Sequence, residues 1–123
     1  TRVDPAWWSR TTMPSDDAVR FGRCLADGRA AGRWTRWLLA AMAPRPSWGI
    51  TDGLARQVGV LTAVKNGWTR HPDGWHVACL AIHPRFVLAV LLHYPGRHSL
   101  GYGAAACAGI ARRLALLPGW DNP

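Results

Sequence analysis

The sequence predicts an α+β fold: helices first, then a three-stranded antiparallel sheet, then a C-terminal helix. Three observations predict it. Between residues 12 and 46 apolar side chains recur at helical spacing and are bounded by Pro and Gly. From residue 58 to 94 the chain turns β-branched and apolar, in strand-length runs separated by turn residues. After Ser99 the helical spacing returns. At 123 residues the chain is one domain at most, and no internal repeat or low-complexity linker divides it.

Residues 1–12 show no period, and "DPAWW" reads as loop. The stretch "TTMPSDDAVRFGRCLADG" opens a helix. Thr12 or Ser15 can cap it, Pro14 suits a first turn, and Asp16 and Asp17 favour the positive end of the helix dipole. Ala18, Phe21 and Leu25 recur at helical spacing, and Gly28 supplies a stop. In the second helix Trp34, Trp37, Leu38, Ala41 and Met42 share one face, and Pro44 and Pro46 end it. Residues 47–57 read as loop.

Strand structure begins near Val58 with "VGVLTAVKNGWT", and "RHPDG" carries a Pro-Asp-Gly turn signal. "WHVACLAIH" and "FVLAVLLHY" are joined tightly at Pro84-Arg85. Both runs are apolar on alternate positions of both faces, so the sheet is predicted to be covered on two sides. Leu100, Cys107, Ile110, Ala111, Leu114 and Leu117 trace one stripe of the closing helix, with Ser99 as its cap. A meander of this kind leaves an edge strand open, which points to a missing partner.

Composition narrows the function classes. The net charge is +8, the seven acids are all aspartates, and there is no glutamate, so no mechanism with a Glu base can run on this chain alone. A positive field attracts nucleic acid, anionic lipid or acidic polymer. An Arg-, Ala-, Gly- and Trp-rich chain with a single lysine also follows from the codon bias of a GC-rich genome, which is the reading preferred here. No apolar run reaches the roughly 18 residues of a membrane span. No charged-then-apolar leader follows Thr1. Cys24, Cys79 and Cys107 lack CxxC spacing and read as packing residues.

The lone lysine lies in "AVKNGWT", and that tripeptide in this order of elements is informative. The layout resembles the C-terminal part of a class A β-lactamase or a related penicillin-recognising serine hydrolase, over essentially the whole chain. "TTMP" resembles the family's segment after its omega loop, a second helix ends near "LLAAM", and Lys65-Asn66-Gly67 stands where a strand with Lys-Thr-Gly or Lys-Ser-Gly is expected. Two more strands and a terminal helix complete the family's layout. On this reading residues 1–123 form a single, partial domain of the β-lactamase/transpeptidase-like fold.

The resemblance implies an acyl-serine hydrolase acting on a β-lactam or peptide-like amide, secreted or in the cell envelope, with no cofactor and no metal. It implies four substrate-binding residues. Lys65 supplies positive charge, Asn66 a substrate hydrogen bond, Gly67 close backbone access, and Trp68 an oxyanion-hole N–H. Departures from the family are equally visible. Asn66 replaces the usual Thr or Ser. No Ser-x-x-Lys nucleophile motif is present: Thr62 precedes Lys65 by three, but such a pair on a strand points to opposite faces. "PSDDA" is not a Ser-Asp-Asn triplet, and the deacylating glutamate is absent. The chain therefore holds a substrate-binding wall and no catalytic residue, and a missing N-terminal segment of the same domain is its expected partner.

Other constellations read more plainly. His71, His76, His83, His93 and His98 show no HxxxH spacing, and solvated turn or strand-end histidines are expected in place of a metal site. A Ser-His-Asp triad has no G-x-S-x-G elbow to seat it. "RAAGRWTRW" interleaves Arg29, Arg33 and Arg36 with Trp34 and Trp37. That pattern suits a membrane-surface helix or single-stranded nucleic acid, but the preferred arrangement is an amphipathic helix with Trp inward and Arg outward. A small basic binding module is thus the alternative function. Trp68 and Trp75 flank the hairpin, either lining a groove or packing across strands.

Overall fold

The computed structural model describes residues 12–44, 48–55 and 61–118. Helix α1 (Ser15–Ala26) is followed by a 3-10 turn (Gly32–Trp34), α2 (Thr35–Ala41) and a one-turn helix α3 (Ile50–Gly53). Strands β1 (Ala63–His71), β2 (Gly74–Ile82) and β3 (Val87–Tyr94) come next, and α4 (Leu100–Leu114) closes the chain. The sheet runs in the order β1-β2-β3, antiparallel throughout, with an unbroken register from Ala63↔Ile82 to His71↔Gly74 and from Trp75↔Tyr94 to Ile82↔Val87. The expected α+β order is therefore present.

Strand alternation sends one set of side chains to each face, and both faces are covered. On the first, α1 packs on β2 and β3, and Leu25, Ala63 and Ile82 are buried with Leu38, Leu39, Met42 and Val87 against them. Gly22 makes the close approach: a Cβ there would stand 2.7 Å from Val87 Cγ1. On the second, α3 and α4 close over Val64, Val77, Cys79, Ala81, Leu88 and Val90. Fully burying a side chain of this size contributes about 1.5–3 kcal/mol, so each face is a core in its own right.

The local signals hold in part. Ser99 Oγ accepts from the Tyr102 N–H at 3.2 Å and caps α4 as predicted. Gly28 takes a left-handed φ of 78° just past α1. The capping of α1 differs: neither Thr12 nor Ser15 caps it, Pro14 stands at the cap position, and its carbonyl accepts from Ala18. Phe21 is exposed, and the buried stripe is Ala18, Gly22 and Leu25. In α4 the inward stripe runs through Ala104, Cys107, Ala108 and Ala111, leaving Ile110 outside, and Leu117 lies exposed past the helix end at Leu114. The small residues let the helix lie close to the sheet, and the larger ones at the edge of the stripe face water.

Two expectations are overturned. Trp34 and Trp37 do not face inward: they are 60% and 67% exposed, and α2 docks through Leu38, Leu39 and Met42 instead. Residues 47–57 are not simply loop, because Ile50–Gly53 form α3, with Ile50 and Leu54 fully buried. Four residues are too few to show a helical period. The first part of the expected strand, 58–60, lies outside the described residues, as does the loop read at residues 1–11.

Candidate functional site

Strand β1 is an edge of the sheet, and its sequence decides which groups reach that edge. The register is free of bulges, so backbone N–H groups alternate strictly between the β2 side and the open side. Val64 fixes the phase: its N–H donates outward to the Met42 carbonyl at 2.7 Å. The N–H groups of Asn66 and Trp68 therefore point to the same open side. The Asn66 carbonyl shares that direction, and Lys65 Nζ donates to it, which holds the ammonium at the open edge. Among the described residues nothing pairs with the Trp68 N–H, so a cation and a strand N–H lie along one edge within four residues.

Side chains of the four predicted residues divide between the two faces. Lys65 and Gly67 lie on the α1 side and line an open cleft of about 1120 Å³ between the sheet and the first two helices. Phe21, Leu25, Leu38, Met42, Leu80 and Leu91 give the cleft its apolar lining. Phe21 and Leu91 are exposed in it. Asn66 and Trp68 lie on the opposite face. Asn66 Nδ2 donates to the Trp48 carbonyl at 3.3 Å, so its amide is engaged within the chain, while Oδ1 is buried without a partner among the described residues. Trp68 packs on Trp48, ring centroids 5.0 Å apart and tilted by 46°.

Trp75 does not stack across the hairpin on Trp68. Its indole N–H donates to the His98 carbonyl at 3.0 Å, and the Arg70 guanidinium lies 5.7 Å from its ring. Cys79 and Cys107 are buried between β2 and α4, and both are free thiols, as is half-buried Cys24. Contact with Cys79 and burial push the Cys107 thiol far above its usual range, which disfavours its thiolate.

Sequence spacing missed one constellation. His71, His76 and His93 come from three different strands on the α1 side of the sheet: His76 and His93 meet at Asp73, and His71 stands edge-on to His76. The register pairs His76 with His93 directly, a proximity that no i, i+4 rule reports.

Compared with known protein families, curated proteins and solved structures, this chain has no match. Among the described residues no helix is long and apolar enough to cross a membrane.

Proposed function

We propose that this chain is the substrate-binding part of a serine hydrolase of the β-lactamase or penicillin-binding type, whose nucleophile lies on another segment. The observation that carries the reading is the open edge of β1, where the Lys65 ammonium and the outward N–H of Trp68 lie on one side. An ammonium there attracts a substrate carboxylate, and an unpaired strand N–H can donate to a developing oxyanion. The same edge can pair with an extended peptide-like substrate by strand addition. Gly67 keeps the strand free of a side chain on the cleft face between them. The apolar cleft beside Lys65, with Phe21 and Leu91 open to solvent, is the face that a further segment of such a domain would cover.

In this reading Asn66 holds the Trp48 segment against β1 with one amide N–H, leaving the second as the donor a substrate could use. Fluorescent penicillin tests the assignment. The chain alone stays unlabelled, whereas the product extended by the coding sequence upstream of Thr1 is labelled at the serine of a Ser-x-x-Lys motif. Lys65→Ala in the extended product lowers labelling by about tenfold or more, corresponding to about 1.4 kcal/mol of lost stabilisation. Labelling of the isolated chain that a single Ser or Thr substitution abolishes, or labelling indifferent to Lys65, overturns it.

A second reading, a small basic module for nucleic acid or anionic envelope polymer, draws on one finding. Trp34 and Trp37 are exposed, and the Arg33 guanidinium stands 5.0 Å over the Trp34 ring. That reading requires binding to single-stranded nucleic acid or anionic vesicles that weakens steeply with salt and is lost in Trp34→Ala/Trp37→Ala. Negligible binding at low salt rejects it.

A further inference from the structure

We propose that Asp73, His76 and His93, at the hairpin end of the sheet, form a binding site for a divalent transition metal ion, with Zn²⁺ the best fit. Each ligand is delivered by a different piece of backbone. Asp73 sits in the two-residue turn between β1 and β2, His76 lies on β2, and His93 is its direct partner on β3. Because the register is fixed by two cores buried further along the sheet, the three side chains are positioned by the fold and not by a mobile loop.

The donor geometry suits a small coordination sphere. His76 Nε2 lies 3.1 and 3.2 Å from the two carboxylate oxygens of Asp73. His93 Nε2 lies 3.4 Å from Oδ2 of the same carboxylate and 3.2 Å from the Asp73 carbonyl. One donor atom from each residue falls within 4.8 Å of the others. Metal–ligand bonds of about 2.0–2.1 Å in a tetrahedron place neighbouring donors about 3.3–3.4 Å apart, so the nitrogen–oxygen separations already match. The imidazole rings stack at 4.4 Å with only 13° between planes, and both turn Nε2 towards the carboxylate. Closing on an ion requires the two rings to turn out of their stack, so that both Nε2 lone pairs converge on one point.

The chemistry fits as well. Two imidazoles and one carboxylate form a borderline ligand set that favours Zn²⁺ over Ca²⁺ or Mg²⁺, which seek oxygen. The side chains are 40–57% exposed, so an ion reaches them from solvent and retains a water in the remaining position. His71, edge-on to His76 with centroids 5.3 Å apart, forms the adjoining wall. The same contacts without an ion describe a hydrogen-bonded Asp–His cap on the hairpin, and metal titration separates the two.

The experiment uses chelator-treated chain in a non-coordinating, mildly alkaline buffer, titrated with Zn²⁺ by calorimetry and with Co²⁺ by visible absorption. One ion binds per chain, Co²⁺ gives the intense band of a tetrahedral site, and Asp73→Asn, His76→Ala and His93→Ala each weaken binding by about tenfold or more. His83→Ala and His98→Ala bind as the unaltered chain does. Proton NMR of the unaltered chain keeps the test independent of variant folding, since Zn²⁺ must shift the ring signals of His76 and His93 together. No saturable binding, or binding that Asp73→Asn, His76→Ala and His93→Ala leave unchanged, overturns the site.

Discussion

The Asn66 amide donates to the Trp48 carbonyl at 3.3 Å and fastens the candidate substrate strand to the segment that enters α3. Gly49 lies beneath this contact at φ 58°, where an added Cβ would stand 3.0 Å from Asn66 Oδ1. Asn66→Ala should cost about 1 kcal/mol, the net worth of one hydrogen bond. Gly49→Ala should cost about 1–3 kcal/mol, because a left-handed backbone and a clash act together. Denaturant unfolding of the two variants measures both, and a Gly49→Ala protein as stable as its parent removes the account.

Gly53 lets α3 meet α4 backbone to backbone. A Cβ there would run into the Ala108 carbonyl and come within 2.7 Å of Ala111 Cβ. Neither is the tip of a flexible side chain. Gly53→Ala should therefore destabilise by about 1–3 kcal/mol, the range for overpacking a core. Gly109→Ala, on the facing helix α4 but with open space at its Cβ, should stabilise by about 0.5–1 kcal/mol. Opposite signs in thermal unfolding are the expected result.

His83 gives the chain an acid sensitivity. Its Nδ1 accepts the Arg85 N–H at 3.1 Å and its ring stacks on Phe86. Burial, and then the Arg85 charge, hold its pKa below the ordinary 6.5. The unfolded chain thus binds a proton here more readily than the folded one. This contribution to stability is complete above 6.5 and is lost as pH falls from there through the lower folded value. NMR titration should place His83 below the ordinary value, and His83→Gln should flatten the stability profile in that window.

Cys79 and Cys107 should resist thiol reagents until the chain unfolds, while Cys24 reacts in the folded state. The first two are enclosed between β2 and α4, and Cys107 is held far into its protonated form. Timed labelling with and without denaturant, read by mass spectrometry, checks the order. Early modification of Cys107 would contradict this packing.

The candidate strand was legible because its signals are local: a lysine, a glycine and the run "AVKNGWT" between two helices and a hairpin. The direction of its N–H groups was not, since it depends on where Val64 finds its acceptor, and that acceptor is Met42. The inward-facing tryptophans failed for a related reason. Helical spacing reports which residues share a face, but the sheet selects which face is buried, and it took Leu38, Leu39 and Met42.

The sequence by itself determined the order of elements, the Ser99 cap, the Gly28 stop and the two-sided covering of the sheet. Each follows from residues a few positions apart, through side-chain alternation, backbone freedom or a local hydrogen bond. Only the tertiary structure decided the rest. It buried α3, whose single turn is stabilised by contacts with α4 and the sheet. It placed the Lys65 ammonium and the Trp68 N–H on one open edge. It also brought Asp73 and His76 against His93, about twenty residues further on, because antiparallel register converts distance along the chain into adjacency across it.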